Sequence, residues 1–455
     1  MEGFPREMEQ RPGTELLKGS YYIETYGCQM NEHDSEKIAQ LLEDQGLCPV
    51  DTAEMADVIV INTCAIREKP EHKVYSALGK LRALKKRKPD LISIVAGCVA
   101  QQQKQELLKR TDVLDCVLGT HAISELPALI SRIRRERRRV CETEFRRDVT
   151  SLHMSAPRKG AGSVCSYVTI MQGCSNFCTY CVVPYTRGPE QSRQAYEIIN
   201  EVQQLARSGV REITLLGQNV NAYGKDLKDG VRFPELLRQL SHIDGIARVR
   251  FTTSHPRDFH EDLAAAMRDV EAVCEHVHLP LQAGSDRILR EMRRGYTYEE
   301  YLEKIRFLRE MVPHVAVTTD IIVGFPGETR EDFEATCQAL QTIRFDQIFS
   351  FKYSVRPQTV AGSLNNHLSE DVKKLRLAMV HDIQSAITQQ YHTDTVGSVE
   401  EVLIEGIRTA TGQPFGRTRT GKIVNLEVSE NVFIGDLIQA KIIKGLKHSL
   451  VGKKV

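Results

Sequence analysis

Three cysteines spaced CxxxCxxC stand at Cys174, Cys178 and Cys181, inside the segment Gly173-Cys174-Ser175-Asn176-Phe177-Cys178-Thr179-Tyr180-Cys181. Three thiolates on one short loop can ligate three irons of a cubane cluster and leave the fourth without a protein ligand, free to bind another molecule. An open iron implies chemistry rather than simple electron transfer. Zinc is the competing reading, but a structural zinc ion takes a closed set of four ligands and commonly shows paired CxxC spacing. A second set is dispersed: Cys28, Cys64 and Cys98 each follow a strand-like run, in the small-residue settings Gly27-Cys28, Thr63-Cys64-Ala65 and Gly97-Cys98. In an open parallel sheet the loops at the carboxyl ends of adjacent strands converge on one edge, so these thiols could meet there. A buried cysteine taken alone is more often a small core hydrophobe than a ligand, and it is the shared position after a strand that favours ligation. Cys48, Cys116, Cys141, Cys165, Cys274 and Cys337 share no such pattern and read as structural.

The elements that must position these thiols fall into three regions. Between about residues 20 and 140, strand candidates at 21–26, 57–62, 91–96 and 113–118 alternate with helical segments, the first over 34–44, which predicts a doubly wound parallel sheet with covering helices. A polar stretch over 141–165 reads as a linker. From 166 to 391 six strand-like runs (167–171, 212–216, 248–252, 276–279, 316–323 and 347–351) are separated by helical patterns such as 195–207, 299–310 and 329–341. Repeated βα units of this kind close into a full or partial barrel. Beyond a helix ending near Tyr391, short β-rich runs at 401–405, 422–428 and 437–443 separated by glycines predict a small β-barrel or sandwich.

The loops after the barrel strands carry the remaining candidates, because the carboxyl ends of such strands are where catalytic side chains gather. Gln218 and Asn219 follow the second strand and place amides at the mouth, to bind a cofactor or a base or simply to cap the loop. Thr253-Ser254-His255-Pro256 ends the third strand, and a lone histidine there is more often structural than a general base. Gly324, in Gly324-Phe325-Pro326-Gly327-Glu328, would let backbone approach a cofactor, or form a turn that caps the next helix. Arg187 and Arg193 are candidates for anionic groups or for a surface role.

The composition is that of a folded multidomain chain: 455 residues, 41% hydrophobic and 27% charged, with a net charge of +1 that gives no global pull toward nucleic acid. Basic residues gather locally at 85–88, 132–139 and 441–454, runs that are usually solvated faces. No signal-peptide core and no apolar stretch of membrane-spanning length is present, which predicts a cytoplasmic protein without a membrane partner. Twelve cysteines in such a chain argue for metal binding over a disulfide framework.

CxxxCxxC with Tyr180 before the last cysteine is similar to the signature of radical S-adenosylmethionine (SAM) enzymes. The two triads, with TYGCQMNEHDSE, INTCAIREK, AGCVAQQ, GCSNFCTYCVVPYTRG, LLGQNVNAYG, RFTTSHP and DIIVGFPGET, resemble the radical SAM methylthiotransferase family, closest to its tRNA-2-methylthio-adenosine synthase subgroup. The resemblance implies an N-terminal domain (20–140) with an auxiliary 4Fe-4S cluster on Cys28, Cys64 and Cys98. It implies a radical SAM barrel (166–391) with a second 4Fe-4S cluster on Cys174, Cys178 and Cys181, and SAM near Tyr180, Gln218, Asn219 and Gly324. The segment GRTRTGKIVNLEV resembles a TRAM domain (392–455), implying RNA contact through Arg417, Arg419 and Lys422, with Arg408, Lys441 and Lys444 adding positive charge. The implied reaction is methylthiolation of carbon 2 of N(6)-isopentenyladenosine next to the anticodon of tRNA, by a monomer served by a flavodoxin- or ferredoxin-type electron donor. The alternatives are another adenosine derivative, a ribosomal protein substrate, or a non-catalytic iron–sulfur RNA-binding scaffold. Pro189, Gln191, Val355 and Gln358 depart from the family's usual residues while leaving both triads intact.

Overall fold

The computed structural model describes residues 17–65, 68–146, 152–154, 163–228, 230–428 and 431–455. The chain divides into two compact units, Met1–Pro157 and Arg158–Val455. In the first, β1 (Gly19–Tyr26), β2 (Leu47–Pro49), β3 (Val58–Thr63), β4 (Ile92–Gly97), β5 (Cys116–Leu118) and β6 (Val140–Glu142) form one parallel sheet in the order β2-β1-β3-β4-β5-β6. Every residue of β3 (VIVINT) and β4 (ISIVAG) is buried, as expected for central parallel strands covered on both faces. Alternation distributes their side chains: Val58, Val60 and Ile94 pack with Ile38, Leu42 and Ile130 on one face, while Ile59, Ile61 and Val95 pack with Val74, Leu78 and Leu107 on the other. The doubly wound sheet is therefore present. Of the basic run 85–88, Lys85 pairs with Asp115 at 2.5 Å and Lys88 donates to the carbonyls of Met55 and Ala56, so part of that run braces the sheet.

The expected linker is shorter than 141–165. Residues 141–142 lie in the edge strand β6 and 165 opens the next sheet, while 147–151 and 155–162 are outside the described residues. The edge strands β2 and β6, three residues each, were too short to carry a periodic signal.

In the second unit β7 (Cys165–Thr169) leads into a small antiparallel pair, β8 (Met171–Gln172) with β9 (Gln191–Ser192), that brackets the CxxxCxxC loop. The parallel strands continue as β10 (Glu212–Leu216), β11 (Arg248–Phe251), β12 (His276–His278), β13 (Ala316–Val323) and β14 (Gln347–Lys352). They run β7-β10-β11 and β12-β13-β14, bridged through Val249 and Val273, which makes a six-stranded partial barrel. Helices Ala195–Arg207, Phe233–Leu240, Glu261–Asp269, Tyr298–Met311 and Arg330–Ile343 alternate with these strands. Two of them start on capping boxes, Thr297 with Glu300 and Thr329 with Asp332.

The helix Glu370–Asp394 hands the chain to β15 (Val399–Ile407), β16 (Pro414–Thr418), β17 (Ile423–Leu426), β18 (Leu437–Gly445) and β19 (Leu450–Lys454), a closed barrel in the order β15-β16-β17-β19-β18 around Val402, Ile404, Val424 and Ile442. This small barrel docks on the amino ends of the parallel strands. Arg248, fully buried at the start of β11, binds the Glu401 carboxylate at 2.8 Å and the Arg417 carbonyl at 2.8 Å. Arg250 donates to the carbonyls of Thr418 and Arg419, each at 2.7 Å. In return Arg419 grips Glu275 with two nitrogens, at 2.7 and 2.8 Å, and Lys422 reaches Asp346 at 3.5 Å.

Candidate active site

The opposite, carboxyl end of the parallel strands carries the CxxxCxxC loop. Two glycine-dependent contacts hold its root: the Gly173 amide donates to Gln218 Oε1 at 2.6 Å, and a Cβ on Gly173 would lie 2.0 Å from the Pro189 carbonyl oxygen. With φ at +85° as well, no other residue fits there. Further along, Thr179 donates its amide to Met292 O and its hydroxyl to Glu291 O, tying the loop to the end of the short helix Asp286–Glu291. Cys178 is buried and Cys174 and Cys181 are half-buried, all on this one loop. Burial pushes the Cys174 thiol up to about 11 and, with help from Cys178, the Cys181 thiol up to about 12. These two thiols are protonated at neutral pH, so a metal bound to them would displace those protons.

The mouth around this loop holds buried polar atoms with no hydrogen-bond partner among the described residues. They are Gln172 Nε2 in β8, and Asn219 Oδ1, Ser254 Oγ, His255 Nε2 and Gln282 Oε1 on segments that follow parallel strands. Unpaired buried polar groups cost about 1–3 kcal/mol each, and several at one mouth fit a polar ligand that would satisfy them. Strain gathers at the same place: Phe177, Thr253 and Gln282 all have φ between +48° and +75°. Together with three thiols on one loop, these atoms fit a cluster that binds a polar cofactor.

Asn219 donates to Asp258 at 2.8 Å, which aims its orphaned oxygen, and Asn221 is paired with the backbone of His255 in both directions. His255 accepts from the Arg257 amide through Nδ1. Burial, aided by the charge of Arg294, pushes its pKa down to about 2, so it remains a neutral ring and a poor base. Tyr180 is half-buried, with its hydroxyl 3.4 Å from Arg294.

Several of the expected site residues have structural partners. Gln218 Oε1 accepts from the Gly173 amide and so holds the root of the cysteine loop. The residue crowding Gly324 is Lys373, whose Cγ would lie 2.5 Å from an added Cβ, and the Gly324 amide donates to Glu328 at 2.7 Å, so the glycine serves a turn ahead of the capped helix Arg330–Ile343. Arg193 is buried against Glu201 and the Thr169 carbonyl, a structural ion pair. Arg419 and Lys422 are engaged in docking, while Arg417 pairs with Glu405 and stays exposed. Sequence spacing could not separate a docking cation from an exposed one. Gln358 sits at φ +69°, a conformation costing a non-glycine residue about 1 kcal/mol.

In the first unit Tyr26, Thr63 and Gly97 stand in register at the ends of β1, β3 and β4, so Cys28, Cys64 and Cys98 all leave the same edge of the sheet. A Cβ on Gly27 would lie 2.9 Å from Cys64 Cβ, which shows how close the first two thiol-bearing segments come. Beneath them is a brace that sequence reasoning missed. Asn31 Nδ2 donates to Asn62 Oδ1 and to the Thr63 carbonyl, Asn62 Nδ2 donates to the Asn31 carbonyl at 2.8 Å and to Ser35 Oγ at 2.9 Å, and Asn31 Oδ1 lies 3.3 Å from Cys28 Sγ. The signal was present in two buried asparagines three positions after one cysteine and two before the next. Gly97, at φ +89° with Asn62 Oδ1 2.4 Å from its would-be Cβ, completes the crowded floor.

A partial parallel barrel with an open-ended cysteine triad at its mouth defines a radical SAM enzyme. Residues 168–340 match the radical SAM superfamily, 20–119 match the uncharacterized protein family UPF0004, and 394–455 match the TRAM domain. The fold resembles the radical SAM methyltransferase TsrM from Kitasatospora setae (TM-score 0.56, 16% identity, 76% of this chain and 74% of that one). It also resembles the cobalamin-dependent radical SAM enzyme OxsB (TM-score 0.53, 11% identity, 82% and 56%). Proteins named tRNA-2-methylthio-N(6)-dimethylallyladenosine synthase from Carboxydothermus hydrogenoformans and Syntrophus aciditrophicus are each 46% identical, over 96% of this chain and 99% and 95% of theirs. The chain belongs to the tRNA-2-methylthio-N(6)-dimethylallyladenosine synthase family of radical SAM methylthiotransferases. Superfamily membership implies a 4Fe-4S cluster and SAM. No helix among the described residues is long and apolar enough to cross a membrane.

Proposed function

We propose that this enzyme installs a methylthio group on carbon 2 of N(6)-isopentenyladenosine next to the anticodon of tRNA. The observation that carries the reading is the pair of thiol triads, each at the carboxyl edge of its own parallel sheet and each one ligand short of a closed cubane, in a chain that matches a named synthase over 96% of its residues. In this reading Cys174, Cys178 and Cys181 hold one 4Fe-4S cluster, and Cys28, Cys64 and Cys98 hold the other. When bound, the first supplies the electron that cleaves SAM and the second supplies sulfur.

The chain's own residues supply position and polarity. Gln218 and Gly173 set the root of the cysteine loop, Tyr180 backs its last cysteine, and Asn219 Oδ1 is offered to SAM. His255 stays neutral and so donates or accepts without exchanging charge. Asn31 and Asn62 hold the auxiliary triad's edge. The N-terminal domain, the radical SAM barrel and the TRAM domain divide near 140, 166 and 392, and the protein acts in the cytoplasm as a monomer with a low-potential one-electron donor. On the small barrel Arg408, Lys441 and Lys444 are among the exposed cations that can meet phosphates, positioning the RNA without reading it. The target base, from a single-stranded loop, enters the barrel mouth.

The test is anaerobic reconstitution with SAM, reductant and either prenylated tRNA or ribosomal proteins. Methylthio-adenosine in the digested tRNA is the expected product, and a modified protein with untouched tRNA overturns the reading. Replacing Cys174, Cys178 and Cys181 by Ala should remove about half the iron and abolish 5′-deoxyadenosine formation. The same change at Cys28, Cys64 and Cys98 should remove the other half, keep SAM cleavage and stop sulfur insertion. Full iron in both triple variants would refute the ligand sets.

A further inference from the structure

Arg294 is 4% exposed and lies behind the CxxxCxxC loop. Its guanidinium donates to Cys178 Sγ at 3.3 Å, to the Pro280 carbonyl at 2.9 Å, to Tyr296 Oη at 2.9 Å and to Tyr180 Oη at 3.4 Å. Among the described residues no carboxylate comes within ion-pair distance of it. Arg193, Arg248 and Arg250, also deeply buried, each have a glutamate beside them. A guanidinium keeps its charge under all ordinary conditions, and burying one with only neutral partners costs several kcal/mol. Of its four partners, the Cys178 sulfur is the one that belongs to the cysteine triad, and it lies 3.3 Å from this buried charge.

We infer that Arg294 is the electrostatic partner of the site cluster, held by its hydrogen bond to the Cys178 thiolate, and that it makes the cluster easier to reduce. The inference rests on the cluster assignment to Cys174, Cys178 and Cys181 proposed above. Three thiolates on a cluster core of two positive charges leave one net negative charge, and the incoming electron adds a second. A fixed positive charge in a low-dielectric surround stabilises the doubly negative state more than the singly negative one, and hydrogen bonds to cluster sulfurs act in the same direction. The anchors are built to keep the charge in place: Pro280 follows β12, Tyr296 Oη also donates to the Pro280 and Leu281 carbonyls, and the aromatic ring of Tyr296 lies 5.3 Å under the guanidinium. Arg294 is a tuning residue, acting on the cluster through Cys178.

The experiment uses the full chain with Cys28, Cys64 and Cys98 replaced by Ala, reconstituted anaerobically, so that one cluster is titrated. In this background the parent should hold about four irons and form 5′-deoxyadenosine; failure there refutes the ligand set and not the role of Arg294. Arg294→Met keeps the volume without the charge, and Arg294→Lys keeps the charge without the fork. A mediated redox titration followed by electron paramagnetic resonance, without SAM, should show the reduced-to-oxidised ratio at a fixed potential falling about tenfold in R294M, equivalent to roughly 59 mV for a one-electron couple, and less in R294K. Loss of iron in R294M with retention in R294K supports the same charge requirement. An unmoved midpoint in R294M, with or without weaker SAM binding, overturns the inference, as does equal loss of iron in both variants, which would mark a packing role.

Discussion

At the scale of single residues, burial decides which chemistry-bearing side chains remain available. His255 stands at a strand end where a general base would be placed, yet desolvation and Arg294 hold it neutral. Its folded pKa of about 2 lies below the ordinary 6.5, so the unfolded chain takes up a proton that the folded chain refuses. The stability this contributes is complete above about pH 6.5 and is lost as pH falls below it, by roughly 1.4 kcal/mol per unit. Between pH 7 and pH 5 the loss comes to about 2 kcal/mol. Replacing His255 by Asn, whose Oδ1 can still accept from the Arg257 amide, should reduce the pH-dependent loss by that amount in denaturant unfolding at the two pH values. An equal loss in both proteins would show that His255 titrates normally.

At the scale of elements, each triad depends on a strand end that delivers its thiols and on a polar brace that fixes the loop. The N-terminal brace is the reciprocal pair Asn31 and Asn62, linking the first turn of the helix Gln29–Asp44 to the last residues of β3. Asn62→Ala leaves the Asn31 carbonyl and Ser35 hydroxyl without that donor, at a cost of about 1–3 kcal/mol confined to this edge. Purified, reconstituted Asn62→Ala should hold about half the iron of the parent and still form 5′-deoxyadenosine, with methylthio transfer reduced at least tenfold. Undiminished transfer would show that the brace is dispensable. The cysteine loop has its counterparts in Gln218 and Thr179, which tie it to β10's following loop and to the helix Asp286–Glu291.

At the scale of the second unit, the small barrel and the SAM mouth lie at opposite ends of the parallel strands, and the contact between barrels is ionic. Arg248 and Arg250 from β11 meet Glu401 and the carbonyls of β16, while Arg419 returns the contact to Glu275. Truncating the chain near residue 392 would therefore expose a buried arginine and disturb the catalytic barrel, so point substitutions separate the roles better than a deletion. Arg419→Ala should lower the unfolding free energy by about 2 kcal/mol, since it leaves Glu275 without its bidentate partner. The paired change Lys441→Ala with Lys444→Ala should leave the melting temperature unchanged and reduce the salt slope of tRNA binding by about two counterions. A salt slope that instead responds to Arg419→Ala at unchanged stability would return that side chain to the RNA face.

Much of this protein was legible in its residues because the signals were local. The strand runs at 212–216 and 316–323 and the helix at 195–207 coincide with the observed elements, since each carries a full period of apolar residues. The three-region order, the CxxxCxxC loop and the recurrence of a cysteine after the first three expected N-terminal strands follow from spacing alone. Short strands such as β2, β6, β16 and β19, none longer than five residues, escaped because so few residues hold no periodicity and are defined by their partners. Charge was the least legible property. Arg294, Arg248, Arg250, Arg419 and Lys422 look alike in sequence, and only the packing around them separates a neighbour of the cysteine loop from an interface anchor. Sequence determined which groups could do chemistry and in what order along the chain; tertiary structure decided which cations are buried, what faces them and which polar atoms wait unpaired, because burial and partnership are properties of the space between distant segments.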